Sequence, residues 1–178
     1  MENCEVILAG FGGQGILFTG KLLAYAAMLK GKQLSWLPSY GPEMRGGTAN
    51  CHVIVADEPI GSPIVTKPNI LVAMNKPPLD KFEDSVAKNG YIFVDSSLID
   101  RRVERTDVNA VYIDSTRIAN EIGNKNLANM VMLGAILKTT EVFSLSEIEE
   151  TMKKSLPAKR LPLVETNMKA VKEGYDLV

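Results

Sequence analysis

Apolar residues in this chain fall into short continuous runs separated by stretches in which they recur every three or four positions. Residues 6–9, Val-Ile-Leu-Ala, form a run of the buried-strand kind. From Ile16 to about Lys30 the pattern is helical, and residues 33–37 make a second short strand. Residues 48–56 alternate, with Ala49, Cys51, Val53 and Val55 on one face and Asn50, His52 and Ile54 on the other, which predicts a strand. Residues 69–74 are another buried strand. Pro77 and Pro78 then open a helix running from Leu79 to about Lys88, closed by Asn89-Gly90. Residues 91–95 and 110–113 are strands, the stretch from Arg101 to Arg105 is charged and expected at the surface, and residues 116–122 are helical up to Gly123. Residues 127–137 are almost wholly apolar, a buried helix at this length. A charged amphipathic helix starts at Ser146, and a last helix covers about 163–175.

This alternation predicts an α/β fold, Rossmann-like and doubly wound, with a mostly parallel sheet and helices on both faces. The run from Gln33 to Ala56 holds two strands with no helix between them, which adds antiparallel strands. At 178 residues, positions 1–178 read as one domain with room for a proper core. The first helix carries two apolar stripes: Ile16, Leu17, Gly20, Leu23, Ala24, Ala27 and Met28 on one side, Phe18, Leu22, Tyr25 and Leu29 on another. Surface helices keep one polar face, and here the only charges are Lys21 and Lys30. The second stripe therefore lies under the chain's own second layer or against another chain.

Composition narrows the function classes. A net charge of −1 gives no reason to expect nucleic acid. No apolar run approaches membrane-spanning length and no targeting segment precedes Val6, so a cytoplasmic location is expected. Cys4 and Cys51 sit in apolar strands and are expected as buried free thiols. With one histidine and no C-x-x-C, the sequence offers no zinc or iron–sulfur ligand set, and metal ligands are expected to be absent. His52 reads as a hydrogen-bonded strand residue.

The chemistry concentrates where the first strand meets the first helix, in Gly10-Phe-Gly12-Gly13-Gln14-Gly15. Glycines admit a phosphate close to the backbone, and the first N–H groups of the helix lack internal partners. Gly10-x-Gly12-x-x-Gly15 fits a dinucleotide fingerprint, but the ribose-binding acid that should follow about 20 residues later is missing from the region after Gly31. Gly15-Ile-Leu-Phe-Thr-Gly20-Lys21-Leu22 imitates a P-loop, with Leu22 where a magnesium-binding hydroxyl is needed. Two readings stay open: a phosphate-bearing ligand with a different sugar contact, or a tight turn that serves packing alone. A second loop, residues 38–47, sets Glu43, Met44 and Arg45 among turn residues. Asp95-Ser96-Ser97 lies past a strand end where open α/β sheets place ligands, and Asn124, Asn126 and Asn129 cluster at the start of the apolar helix, where amides cap helices or meet ligands.

Taken together, Gly10-Phe-Gly-Gly-Gln-Gly15, Ser39-Tyr-Gly-Pro-Glu-Met-Arg-Gly-Gly47 and Asn129-Met-Val-Met-Leu-Gly134 resemble the gamma subunit of 2-oxoacid:ferredoxin oxidoreductases, through nearly the whole chain and in order. The second motif is the most specific. The resemblance implies a share in the oxidative decarboxylation of a 2-oxoacid to acyl-coenzyme A with reduction of ferredoxin. It implies thiamine diphosphate between alpha and beta subunits, and iron–sulfur clusters on beta or a delta subunit. Carried over, Gly12, Gly13, Gln14 and Gly15, with Asn129, would hold coenzyme A, Lys21 would assist, and Glu43 and Arg45 would face the shared active site or a partner. No catalytic residue would then reside on this chain alone. The other reading, from a different class, is a stand-alone Rossmann-like nucleotide-binding protein. It requires a ribose acid, a nucleophile–base pair or a metal set.

Overall fold

The computed structural model describes residues 3–39 and 48–178. In chain order the elements are β1 (Cys4–Phe11), α1 (Ile16–Leu29), β2 (Gln33–Ser39), β3 (Thr48–Ala56), β4 (Ile70–Ala73), α2 (Lys76–Phe82), β5 (Tyr91–Asp95), β6 (Asn109–Ile113), α3 (Ser115–Glu121), α4 (Ala128–Thr140), α5 (Leu145–Ser155) and α6 (Leu163–Tyr175). The strands form one six-stranded sheet in the order β2-β3-β1-β4-β5-β6. From β1 through β4 and β5 to β6 the neighbours are parallel, while β3 runs antiparallel to both β1 and β2. The expected mixed sheet is thus present, with its antiparallel part where two strands follow without a crossover helix.

Strand alternation divides the interior in two. Val6 and Leu8 of β1 point to one side with Cys51, Val53, Ile70, Val72 and Phe93, and there the sheet is covered by α1 and α3 to α6. Ile7 and Ala9 point the other way with Leu71, Ala73, Ile92 and Val94, under α2 and the connections around Val65, Val86 and Ile99. Both faces carry helix, but unequally: among the described residues the second has only the two-turn α2. The helix over the first face that packs deepest is α4, buried from Ala128 to Leu137, as its unbroken apolar run requires.

Close approach is built in at small residues. A Cβ on Gly20 would lie 2.5 Å from Cys51 Sγ, so α1 sits directly on β3. Gly134 of α4 and Gly174 of α6 face one another's backbones. A Cβ on Gly134 would run into the Val171 carbonyl and come within 2.6 Å of Tyr175 N, and one on Gly174 would run into the Val131 carbonyl. Cys4 and Cys51 are free and buried, as expected, and burial pushes both thiols up to about 12.

Three expectations need correction. The second helix spans Lys76–Phe82, followed by a short 3₁₀ turn at Glu83–Ser85, rather than 79–88. The prolines occupy its first turn, and it stops where Glu83 turns inward. The stretch from Arg101 to Arg105 is not a solvated charge run. Glu83, 5% exposed, pairs with Arg101 Nη2 at 2.7 Å and accepts from the backbone N–H groups of Glu104 and Arg105 at 2.5 and 3.2 Å. Arg105 in turn donates to the carbonyls of Glu83, Asp84 and Val86. A buried carboxylate with this set of donors fastens the 101–105 segment to the end of α2. The amphipathic helix begins at Leu145, with Ser144 and Glu147 forming a reciprocal capping box.

The second stripe of α1 divides. Leu22 is buried, Phe18 and Tyr25 are half-buried, and Leu29 is 42% exposed. Helix α5 runs antiparallel beside α1, with Lys30 paired to Glu147 at one end and Ser155 near Phe18 and Leu22 at the other. It covers the stripe only in part.

His52, on β3, accepts a hydrogen bond through Nδ1 from Val65 N at 2.9 Å and so pins the loop between β3 and β4 to the sheet. Burial holds its imidazole below the usual histidine range. Lowering the folded pKa means that the unfolded chain binds the proton more readily. The bond's contribution is then complete above the unfolded value of 6.5 and is lost as pH falls below it.

Two outcomes follow from this packing. Gly134→Ala should destabilise by about 3 kcal/mol or more, because overpacking here meets backbone and not a movable side chain. Calorimetry should show Tm lowered by roughly 6–12 °C. Since the chain has one histidine, Tm measured between pH 7 and about 5.5 should fall with pH in the native protein. His52→Asn, which keeps an acceptor that does not titrate, should flatten that slope.

Candidate functional site

Strands β1 and β4 are parallel neighbours, yet the helices that follow them leave toward opposite faces, α1 over the first core and α2 over the second. A crevice therefore opens at the carboxyl ends of these two strands, the place where doubly wound sheets receive ligands. The glycine loop fills its β1 side. Pairing of Gly10 with Ala49 and Phe11 with Thr48 carries β1 beyond the expected residue 9, so the loop springs from a strand held on its β3 edge.

Within the loop, Gln14 N donates to Phe11 O at 3.2 Å, closing a tight turn, and Gly13 and Gly15 adopt φ of 91° and 74°. Both are left-handed conformations that side chains disfavour. The two glycines differ in surroundings. A Cβ on Gly13 would meet nothing within 4 Å, whereas one on Gly15 would run into the amide of Asn129. The loop is open at Gly12 and Gly13 and closed from behind at Gly15.

Side chains lock this shape. Gln14 Oε1 accepts from Phe11 N at 2.6 Å and from Asn75 Nδ2 at 3.1 Å, and Gln14 Nε2 donates to Met74 O at 3.2 Å. Gln14 thus spans the crevice from the end of β1 to the end of β4. Asn129, 5% exposed, donates from Nδ2 to Gly15 O at 3.2 Å and to Thr19 Oγ1 at 3.0 Å, and Thr19 Oγ1 donates to Gly15 O. The Oδ1 atoms of Asn75 and Asn129 are buried without a partner among the described residues. Helix α1 begins at a Gly15 N-cap with no side-chain cap and no acid in its first turn. Its first N–H groups are left for an external acceptor, and the macrodipole favours an anion there.

The expected residues thus take different places. Gly12 and Gly13 form the open rim. Gln14 brackets the turn and Asn129 braces it from inside. Lys21 lies exposed on the outward side of α1, its Nζ 5.5 Å from the Tyr25 ring centroid. Glu43 and Arg45 lie outside the described residues. Asn124 accepts from Asn126 N at 3.1 Å and caps the turn before α4, apart from the loop. Asp95 is fully buried, accepting from Thr116 Oγ1 at 2.5 Å and Ser97 N at 3.1 Å. Ser96 donates to Asp114, which this bond, and then Arg117, hold below the usual carboxylate range. The 95–97 segment ties β5 to α3 and is spent on internal bonds. Among the described residues no cluster of His, Cys, Asp or Glu could hold a metal ion.

Asn75 and Thr19 are the participants that sequence reasoning passes over. Asn75 carried a readable signal, since it directly follows the buried run of β4, at the same strand-end position that drew attention to Asp95. Thr19 carried none, because its role depends on Asn129, far away along the chain.

The pyruvate ferredoxin/flavodoxin oxidoreductase family model matches residues 5–177. The 2-oxoglutarate synthase subunit KorC of Methanocaldococcus jannaschii is 39% identical over 97% of this chain and 92% of its own. The ketoisovalerate oxidoreductase subunit VorA of Methanothermobacter thermautotrophicus is 45% identical over 75% of this chain, but the match spans only 28% of VorA. Among solved structures, a keto/oxoacid ferredoxin oxidoreductase gamma subunit from Geobacter sulfurreducens superposes with a TM-score of 0.82 at 30% identity, covering 97% of this chain and 96% of that one. The 2-oxoglutarate:ferredoxin oxidoreductase of Magnetococcus marinus, solved with 2-oxoglutarate, coenzyme A and succinyl-CoA, shares the fold at a TM-score of 0.87 and 22% identity, over 99% of this chain and 31% of that one. With a family match along nearly its whole length and gamma-type relatives covered end to end, this chain belongs to the pyruvate ferredoxin/flavodoxin oxidoreductase family, among its gamma subunits.

Proposed function

We propose that this chain is the gamma component of an enzyme that oxidatively decarboxylates a 2-oxoacid to acyl-coenzyme A, and that its glycine loop holds coenzyme A phosphates over the shared active site. One observation carries the reading: an open, left-handed glycine turn leads into a helix whose first N–H groups have no side-chain acceptor. Such a cradle fits a pyrophosphate, which brings acceptor oxygens and negative charge together. The Magnetococcus marinus relative, solved with coenzyme A, lends support.

Bound coenzyme A supplies the thiol that accepts the acyl group. What this chain's residues do is hold and orient. The rim at Gly12 and Gly13 presents backbone donors, while Gln14, bonded on both sides of the crevice, keeps the rim from collapsing into it. Asn129 fixes Gly15 and with it the direction of α1. Thiamine diphosphate and the iron–sulfur clusters belong to partner alpha, beta or delta chains in this proposal, with ferredoxin as electron acceptor of the assembled enzyme. The two thiols described here are buried and strongly protonated, poor starting points for cluster ligation.

Gly13→Ala separates binding from packing, because the new methyl meets no neighbour and acts only through the backbone angle. An N–H to a charged phosphate contributes roughly 1.5–3 kcal/mol. In the assembled enzyme the variant should raise the apparent constant for coenzyme A about tenfold or more, with oxoacid decarboxylation measured without coenzyme A unchanged. Unaltered coenzyme A dependence in a well-folded variant complex would leave the loop a purely structural role. The chain alone, given thiamine diphosphate, oxoacid and acceptor, should show no turnover. Robust activity without partners would refute the subunit reading.

A further inference from the structure

Beyond the crevice, one surface joins residues that pack on the core, Phe18, Leu22 and Leu156, to exposed apolar and cationic neighbours. Where α5 ends, the chain turns through residues 156–162 before α6, and this turn stands off from α1. The groove between them has a volume of about 270 Å³. One wall is Phe18, Lys21, Leu22 and Tyr25 of α1, and the other is Leu156, Pro157 and Arg160. Apolar exposure continues at both ends: Met28 and Leu29 on α1 are 51% and 42% exposed, and Leu161 and Leu163 are 40% and 51% exposed. The connector is stiff. Leu156 is extended before Pro157, residues 158–160 form a 3₁₀ turn, and Pro162 caps α6. Two prolines therefore fix this connector, with Leu161 and Leu163 standing out in water while Leu156 packs in part against the core.

Charge identifies what covers this face. Among the described residues, Arg101, Arg105 and Arg117 are paired with carboxylates, and Arg102 lies over the Tyr112 ring. Within the same set Arg160 has neither kind of partner, and Lys21, on the opposite wall, has only the Tyr25 ring among the described residues. The charged groups of the groove are both donors. It suits an apolar segment carrying carboxylates, and Tyr and Arg are the residue types that dominate such contacts. The covering segment must also be long enough to reach Met28 and Leu163, which a small metabolite is not. In VorA and in the Magnetococcus marinus chain this unit makes up 28% and 31% of a longer polypeptide, so in those proteins a larger body of chain is tethered to it.

We propose that the outward face of α1 and the 156–163 connector form the docking surface for an acidic, apolar segment of a catalytic chain of the same enzyme, with Lys21 and Arg160 receiving its carboxylates. The inference rests on the gamma-component reading. It assigns Lys21 to assembly rather than to coenzyme A, and it places the contact beside the glycine loop, since Phe18 follows Gly15 by a single helical turn.

The test is co-expression of the full chain with the alpha- and beta-type chains of its own enzyme, with affinity measured by titration of the purified parts. Lys21→Glu combined with Arg160→Glu should weaken assembly about thirtyfold or more, with the melting temperature of the isolated chain unchanged. A photo-crosslinking residue at Tyr25 should label a partner peptide that contains Asp or Glu. Undiminished assembly of the double variant overturns the docking surface and leaves the gamma reading standing, as does a crosslink to a second copy of this chain. If the native chain fails to assemble with those partners at all, both readings fall.

Discussion

The parting of two neighbouring connections governs this molecule. β1 and β4 lie side by side and parallel, but their helices depart to opposite faces, so the connections separate just past the carboxyl ends of strands that stay paired through Ala9 and Ala73. An opening of that kind exposes backbone groups that the fold has to satisfy or hand to a ligand. Gln14 resolves part of the problem by bonding Phe11 N on one strand's end and Met74 O on the other's. The first turn of α1 has no side-chain cap. The same arrangement that opens the crevice also supplies the bonds that brace it.

The unequal cover of the two faces follows. Five helices crowd the side on which α1 lies, and they can do so because Gly20, Gly134 and Gly174 let backbones approach where side chains would not allow it. Among the described residues the other side carries α2 and long connections, and there polar anchors supplement the apolar packing: Glu83 under the 101–105 segment and His52 on Val65. Apolar contact holds both faces, and on the second the bond from Val65 to His52, whose imidazole burial holds below the usual range, adds a part that weakens as pH falls.

Much of this was legible in the residues. Short apolar runs and the glycine turn announced the strands, the parallel sheet and the tight turn between β1 and α1, because periodicity and backbone freedom are local properties. The pair of strands without a helix between them foretold the antiparallel edge. What stayed hidden depended on distant partners. Arg101 and Arg105 looked solvated until the buried Glu83 was placed beneath them. Asn129 was legible as an amide at the start of the apolar helix, but its bonds to Gly15 and Thr19, made from inside the fold, were not. The boundary of α2 was misjudged because an inward carboxylate, not a breaker residue, ends it. Charged and amide side chains can face either way with equal local plausibility, and only the assembled core decides.

The buried cysteines have a use that their inertness conceals. Cys51 lies beneath α1, its Sγ 3.7 Å from the Ile16 carbonyl, at the very turn of helix that follows the glycine loop. A thiol there, protonated and shielded, cannot meet an alkylating reagent unless the helix lifts from the sheet. Its rate of modification is therefore a clock for the opening of the loop's foundation. Cys4, at the far end of the neighbouring strand β1, keeps time for the sheet itself. The protein carries, without any added probe, two reporters that distinguish lifting of α1 beside the glycine loop from loosening at the opposite end of β1.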